Sequence, residues 1–544
     1  MAKKKKDENQ EPKQKREKVV RIQEPVITPF YINKKLVAGI ILFLEVAILL
    51  TGIILLRYFT NGNYIWIYWL IRAICWVVLI PIVNSRMDPA YKITWLVVMV
   101  FLPVLGATLY VLFANKKFTK KEKKSIDGVN EQLDKIMSYS SNGVLKKLNP
   151  DKDPDAYSIG QYIKRSGHID IFDDTETTYY AWGEEAFPVM IEKLKKAKHY
   201  IFMEYFIIEQ GHFWNSILEV LIEKAQEGLD VRVMYDDLGC MSTLPNDYDK
   251  YLESVGIKCC IFAKIRPFLD IRMNNRDHRK ILVIDGHTGF TGGINIADEY
   301  INEKIRFGKW KDNAIMLRGA GVFGLTTLFL EAWSRLRNEP IDDFKPYLPT
   351  VYLNETIPFK TDGLVQPYGS IPYTFETIGL NVYQDIIFRA KKYLYISTPY
   401  LILNSEMLNA IMMAAKNGVD VRLLTPHIPD KKLVFGVTRS FYRPLVEAGV
   451  RVYEYAPGFV HAKTFIADDE MGTVGTINLD YRSLFLHSEN GVFLYKTKSL
   501  KDIKQDFENT FLVSKEFTAE VIEKEFSLPY RLFVAVLRLF APLL

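Results

Sequence analysis

Six residues occur twice in this chain at one spacing, H-x-K-x4-D-x6-G-[GT]-x-N: His278, Lys280, Asp285, Gly292, Gly293 and Asn295, then His461, Lys463, Asp468, Gly475, Thr476 and Asn478. Each set offers the parts of a phosphate site. An imidazole can attack phosphorus or carry a proton, and an ammonium can neutralise charge developing on a non-bridging oxygen. A glycine-rich turn lets backbone approach closely, and the Asn after it can donate to an oxygen. Two histidines brought face to face can divide the labour: one attacks phosphorus, while the other protonates the leaving oxygen and later deprotonates the acceptor. A lone His near a strand is more often a satisfied polar group, and a Gly-Gly turn is more often only a turn. Recurrence in register argues for chemistry at His278, Lys280, His461 and Lys463; for Asp285 and Asp468, support of the fold competes.

The spacing requires particular elements. Along a buried strand alternate side chains share a face, so strands over residues 279–284 and 462–467 would project His278 with Lys280 and His461 with Lys463 into one pocket. The duplication is wider than the motif. Residues 197–205, a helix and the break Glu227-Gly228-Leu229 correspond to residues 390–398, a helix and Asn417-Gly418-Val419, and a further strand opens after Gly256 and after Gly449. Strands alternating with helices predict a parallel-rich α/β sandwich, with two halves packed about a pseudo-two-fold axis around one active site. Aligning the halves beyond the motifs sets Lys311-Asp312-Asn313 opposite Ser488-Glu489-Asn490. Asp312 and Glu489 are therefore expected each to accept a hydrogen bond from the far ring nitrogen of a catalytic His, fixing its tautomer; a solvated strand-end carboxylate is the competing account.

Both motifs match the HKD signature of the phospholipase D superfamily at every position. Within it, the chain resembles the bacterial cardiolipin synthases through Gly458-Phe459-Val460-His461-Ala462-Lys463, Thr291-Gly292-Gly293-Ile294-Asn295-Ile296, Thr398-Pro399-Tyr400 and Pro103-Val104-Leu105-Gly106-Ala107-Thr108-Leu109-Tyr110. The resemblance implies a two-step phosphatidyl transfer: a neutral His attacks one phosphatidylglycerol, glycerol leaves, and a second phosphatidylglycerol collapses the phosphohistidine to cardiolipin. It favours His278 as nucleophile and His461 as acid and base, with Lys280, Lys463, Asn295 and Asn478 on the phosphate oxygens, and it calls for no metal or other cofactor. Two rival readings remain. A membrane-bound phospholipase D or phosphatidyltransferase that uses water or another alcohol would share these residues. A membrane-tethered scaffold or nuclease on the same fold would show a broken motif or a long basic groove, neither of which is present in the sequence.

The N-terminal third points to the substrate's location. Residues 36–56, 64–83 and 93–113 are apolar stretches of roughly the ~20 residues that span a bilayer, which predicts a multi-pass protein of the cell membrane. Trp66, Trp69, Trp76 and Trp95 suit interfacial positions, while Glu45 and Arg72 are charges within the stretches that must pair or meet water. Lysines both before residue 36 and after residue 113 mark both ends as cytoplasmic, so one stretch is expected to be re-entrant or interfacial. The net charge of +6 is concentrated in those flanks, which favours anionic phospholipid over nucleic acid as partner. Cys75, Cys240, Cys259 and Cys260 have no C-x-x-C spacing, and the remaining histidines, His487 among them, have no ligand pattern and read as surface or structural. Residues 263–273 interleave basic and apolar side chains and read as an interfacial insertion or a plain loop; residues 528–544 read as a surface-lying amphipathic helix. The expected organisation is a basic cytoplasmic tail (1–35), a hydrophobic membrane region of two to three helices (36–113), a linker (114–170) and two phospholipase D-like halves (171–345 and 346–544).

Overall fold

The computed structural model describes residues 65–101, 143–264, 275–339, 344–352, 360–372 and 376–543, with scattered positions between 47 and 137. The first half contributes β1 (Thr175–Tyr180), β2 (Tyr200–Tyr205), β3 (Asp230–Asp236), β4 (Lys258–Phe262), β5 (Lys280–Ile284), β6 (Thr288–Gly292), β7 (Lys309–Lys311) and β8 (Ala314–Gly319). The second contributes β9 (Leu364–Ser370), β10 (Tyr393–Ser397), β11 (Asp420–Pro426), β12 (Arg451–Tyr455), β13 (Gly458–Val460), β14 (Thr464–Ala467), β15 (Met471–Gly475), β16 (Glu489–Tyr495) and β17 (Ser514–Phe517).

The main sheets repeat one strand order, β1-β8-β6-β5-β2-β3-β4 and β9-β16-β15-β14-β10-β11-β12, with β17 added at the edge of the second. Only β2-β3-β4 and β10-β11-β12 run parallel; every other neighbour pair in the two sheets is antiparallel. The expected parallel-rich sheet is thus a mixed one. The physical reason is loop length: helices connect the parallel strands, whereas tight turns close β5 to β6 and β14 to β15, and a tight turn allows only antiparallel pairing. The helix-ending turns use Gly228 and Gly418 at the same φ of 93°, a left-handed conformation that costs other residues more.

Each sheet is covered outside by its own helices, including Gly183–Lys195 and His212–Gln226 on the first and Ile378–Arg389 and Ser405–Lys416 on the second. Between the sheets lies a shared core. The helix Val322–Arg337, buried from Val322 to Ser334, and the helix Ser499–Leu512 contribute Phe323, Phe329, Trp333, Leu500 and Phe507 to one cluster with Phe202, Ile281, Ile466 and Val474. The helix Pro154–Gly167 falls in the expected linker yet packs Ala156, Ile159 and Ile163 into the core of the second half, with Gly160 O accepting from Gln366 Nε2 at 3.2 Å. The apolar face of this helix has the second sheet as its cover.

Before the two sheet-bearing halves come the helices Ile65–Val77, Leu79–Val83 and Pro89–Phe101. No helix among the described residues is long and apolar enough to cross a membrane. Residues 36–46 and 111–113, Glu45 and the side chain of Arg72 lie outside the described residues, as does most of the 263–273 insertion. Trp66 and Trp69 are exposed, but Trp95 is 6% exposed and packs with Ile82 and Met99, so the aromatic expected at an interface here fills a helical core instead. Pro89–Phe101 is fastened to the second half. Tyr91 packs edge-on against Tyr481 at 5.4 Å, Asn404 Nδ2 donates to Asp88 at 3.2 Å, and Thr94 Oγ1 donates to the Leu539 carbonyl at 2.8 Å. The C-terminal helix Leu528–Arg538 packs on the helix Lys432–Ser440 and leaves Leu528, Leu532, Phe533 and Val536 exposed.

Candidate active site

β5 begins at Lys280 and β14 at Thr464, so both motif histidines lie in the extended approach to their strands. The expected alternation is visible in the first motif: Arg279 is fully buried on the other side, ion-paired to Glu204 at 2.6 Å and Asp277 at 3.1 Å. Lys280 Nζ donates to the carbonyl of His278 at 2.6 Å, and Lys463 Nζ donates in the same way to His461. This contact draws each ammonium back toward its own histidine.

The two halves exchange the groups that orient those histidines. His278 Nδ1 lies 3.0 and 2.9 Å from the carboxyl oxygens of Glu489, and His461 Nδ1 lies 2.6 Å from Asp312 Oδ2. The backbone is crossed too: His278 N donates to Ser488 O at 2.8 Å and His461 N to Lys311 O at 2.7 Å. β13 pairs with β7, Asp277 bridges Ser488, Asn490 Nδ2 donates to Thr291 Oγ1 at 2.8 Å, and Asn313 Nδ2 donates to Thr464 Oγ1 at 2.7 Å. Asp312 and Glu489 are both fully buried, as no solvated strand-end carboxylate would be. With the carboxyl taking up Nδ1, Nε2 of each imidazole is the nitrogen left for chemistry.

Burial dominates the electrostatics. It lowers His278 well below the usual histidine range, aided by Lys280, His487, Lys463 and His461, so the ring is neutral. His461 is pulled down to about 4 by burial and Lys463, against the upward pull of Asp312. Desolvation lowers Lys280 to about 8 and Lys463 to about 7, each partly rescued by Asp312 and Glu489. Burial raises Glu489 well above the usual carboxylate range, opposed by Lys280 and the Thr476 hydroxyl. Asp312 is lowered, because His461 and Lys463 outweigh the burial that would raise it.

Asp285 and Asp468 are not in this cleft. Each sits at the far end of its strand, ~16 Å from the lysine by the strand rise. Asp285 accepts from the backbone N–H groups of Lys198, His199 and Tyr200 at 2.8 to 2.9 Å, and Asp468 from those of Lys391, Lys392 and Tyr393 at 2.6 to 2.9 Å. Both have positive φ, 51° and 58°. They pin the hairpin turn to the start of the neighbouring strand, so the catalytic expectation is corrected to a structural one. Asn295 also differs from expectation: its Oδ1 accepts from Ile207 N at 3.1 Å and its Nδ2 donates to Tyr300 OH at 2.7 Å, which commits the amide to holding a loop. Asn478 is buried, with its Oδ1 unpartnered among the described residues.

The turn residues of the motifs have a steric role. A Cβ at Gly293 would lie 1.9 Å from Asp312 Oδ1, so Gly leaves room for that carboxylate; the second motif has Thr476, whose hydroxyl donates to Glu489. Around His461 stand Tyr300, Trp310 and Phe459, with ring centroids at 5.5, 5.5 and 5.9 Å. Around His278 stand Phe206 at 5.1 Å and His487 at 5.8 Å. Asp236 caps the helix Asp237–Cys240 and accepts from Asp277 N at 3.1 Å, which fixes the approach to His278. Tyr400 donates to Asp430, and Lys431 sits over its ring at 4.7 Å. Reading from the sequence passed over His487, Asn313 and Asn490; the two asparagines follow the aligned Asp312 and Glu489 directly, which was signal enough to find them.

Comparison with known proteins agrees with this architecture. The family model described as the cardiolipin synthase, phospholipase D-like domain matches residues 190–305 and 383–511. An uncharacterized protein of Streptococcus mutans is 45% identical over 85% of this chain and 98% of its own length. A cardiolipin synthase of Halalkalibacterium halodurans is 35% identical over 93% of this chain and 99% of its own. Among solved structures, a phosphatidylserine synthase of Haemophilus influenzae superposes with a TM-score of 0.51 at 16% identity, covering 71% of this chain and 99% of that one, and so shares the fold.

Proposed function

The chain belongs to the cardiolipin synthase family of phospholipase D-like proteins, and from that premise we propose that it is a phosphatidyltransferase that converts two phosphatidylglycerols into cardiolipin and glycerol through a phosphohistidine. The observation that carries the mechanism is the crossed pairing of His278 with Glu489 and His461 with Asp312.

In the first step Nε2 of neutral His278 forms a bond to phosphorus, the bond to the glycerol oxygen breaks, and that oxygen takes a proton from the His461 imidazolium. In the second, a hydroxyl of another phosphatidylglycerol gives its proton to His461 and attacks phosphorus, and the bond to His278 breaks. His278 suits attack because its environment keeps it neutral. His461 suits proton transfer because Asp312 is held ionised beside it, and a bound phosphodiester adds a negative charge that raises its low pKa. Lys280 and Lys463 are the cations available to the non-bridging oxygens. A water or alcohol acceptor fits the same residues, so product analysis decides between them.

The reading includes a membrane setting. Trp66, Trp69, Leu70 and Ile74 are exposed on the helix Ile65–Val77, and Leu532, Phe533 and Val536 are exposed on the C-terminal helix; both apolar surfaces suit contact with lipid. Purified protein given phosphatidylglycerol alone is expected to yield cardiolipin and glycerol in equal amounts. Phosphatidic acid as the main product would overturn the synthase assignment. His278→Ala and His461→Ala are each expected to lower turnover by at least ~10³-fold; wild-type turnover in either would sink the mechanism.

A further inference from the structure

Among the described residues, His487 stands in the cleft with neither ring nitrogen hydrogen-bonded. It follows the short helix Tyr481–Phe485, where its backbone N–H donates to Arg482 O at 2.9 Å, and it precedes β16. Its ring centroid is 5.8 Å from that of His278, and its Nδ1 is 3.7 Å from Glu489 Oε1, beyond hydrogen-bond range. Both ring nitrogens are buried without a partner among the described residues, as are Ser488 Oγ beside it and Arg482 Nε. A buried polar atom left unsatisfied costs about 1–3 kcal/mol, so this corner is built to be completed by something polar.

The chemistry of that completing group can be narrowed. Burial, Arg482, Lys280, Arg276 and Lys431 all disfavour charge on the ring, so His487 is neutral and offers one donor and one acceptor. The lysines and arginines around it only donate, which is what phosphate oxygens need. An acceptor nitrogen serves a ligand that carries its own O–H or N–H. An ammonium headgroup would meet the same four positive charges, whereas a hydroxyl carries none. His278, His487 and Glu489 have ligand atoms within 4.8 Å of one another, a spacing a metal ion tolerates; those four cations oppose a metal as they oppose an ammonium.

We propose that His487 is a specificity-determining residue that hydrogen-bonds a free hydroxyl of the glycerol headgroup whose phosphate is presented to His278, making this corner of the cleft a polyol subsite. The proposal rests on the phosphatidyl-transfer reading and adds to it the residue that recognises the headgroup. The nearer free hydroxyl of that headgroup lies one carbon beyond the ester-bearing carbon, and the His487 ring centroid stands 5.8 Å from that of His278.

The test uses the purified full chain in mixed micelles, with unlabelled glycerol as common acceptor, and follows release of the isotopically labelled headgroup from phosphatidylglycerol and from phosphatidylpropanol, which has no free hydroxyl. The wild type is expected to prefer phosphatidylglycerol by ~10-fold or more in kcat/KM, the value of one or more matched hydrogen bonds. His487→Ala is expected to bring that ratio close to one, through KM for phosphatidylglycerol rather than kcat. His487→Gln, which keeps a donor and an acceptor, is expected to recover part of the ratio. A wild type that does not discriminate, or a His487→Ala variant that slows both substrates equally while His487→Gln restores neither, overturns the subsite alone. Absence of headgroup release from either substrate by the wild type overturns the transfer reading as well.

Discussion

At the scale of the residue, the site depends on two carboxyls that never touch substrate. Asp312 raises the proton affinity of His461 against burial and Lys463, so Asp312→Asn leaves an imidazolium that forms less readily and a ring free to turn. The expected loss in kcat is ~10²–10³-fold, the range of a general acid-base contribution, with the pH-rate profile displaced toward acid; an unchanged profile would return Asp312 to a packing role. The lysines set the opposite limb. Their charged forms do the work, and burial brings Lys463 to about 7 and Lys280 to about 8. Because a lowered lysine pKa means charge lost earlier as pH rises, kcat/KM should fall above pH 7 to 8. Lys463→Arg, whose guanidinium does not titrate there, should move that fall to higher pH; a limb that stays where it was would assign it to another group.

At the scale of the element, the hairpins that carry the motifs are tied down at the end away from the chemistry. Asp285 accepts three backbone N–H groups and is 3% exposed, while the equivalent Asp468 is half-buried. Asn tolerates the positive φ as Asp does but surrenders the charge-assisted bonds. Asp285→Asn should therefore cost about 1–3 kcal/mol in stability, more than Asp468→Asn, with specific activity retained by the folded fraction. Chemical denaturation read beside turnover checks both parts, and a loss of turnover without loss of stability would restore Asp285 to the reaction. The same pairs of elements explain why a duplicated sheet was legible beforehand while its strand directions were not: apolar runs and glycine breaks mark where strands lie, but the short Asp285-Gly286 turn decides that β5 and β6 run antiparallel.

At the scale of the whole molecule, neither half contains a complete site. His278 needs Glu489 and His461 needs Asp312, and the central core is built from both sheets and both inner helices. Residues 1–345 and 346–544 produced separately are expected to form no cardiolipin, and co-production is expected to restore it. Activity from either piece alone would contradict the crossed arrangement. The N-terminal helices meet the second half at Asp88, Tyr91 and Thr94, close to the helix Tyr481–Phe485 that leads into His487. In the membrane setting we propose, the apolar surface and the cleft are thus joined by one short path through the protein.

The amino-acid sequence by itself determined the motif histidines and lysines, the duplicated order of elements, and the equivalence of Asp312 with Glu489, because residue type and spacing repeat in register and local periodicity follows directly from them. Only the tertiary structure decided that each carboxyl serves the histidine of the other half, that Asp285, Asp468 and Asn295 hold loops, and that His487 faces the cleft. Those outcomes depend on which groups meet across a packed interface between segments 211 and 149 residues apart, and separation along a chain carries no information about approach in space until the core between the sheets is formed.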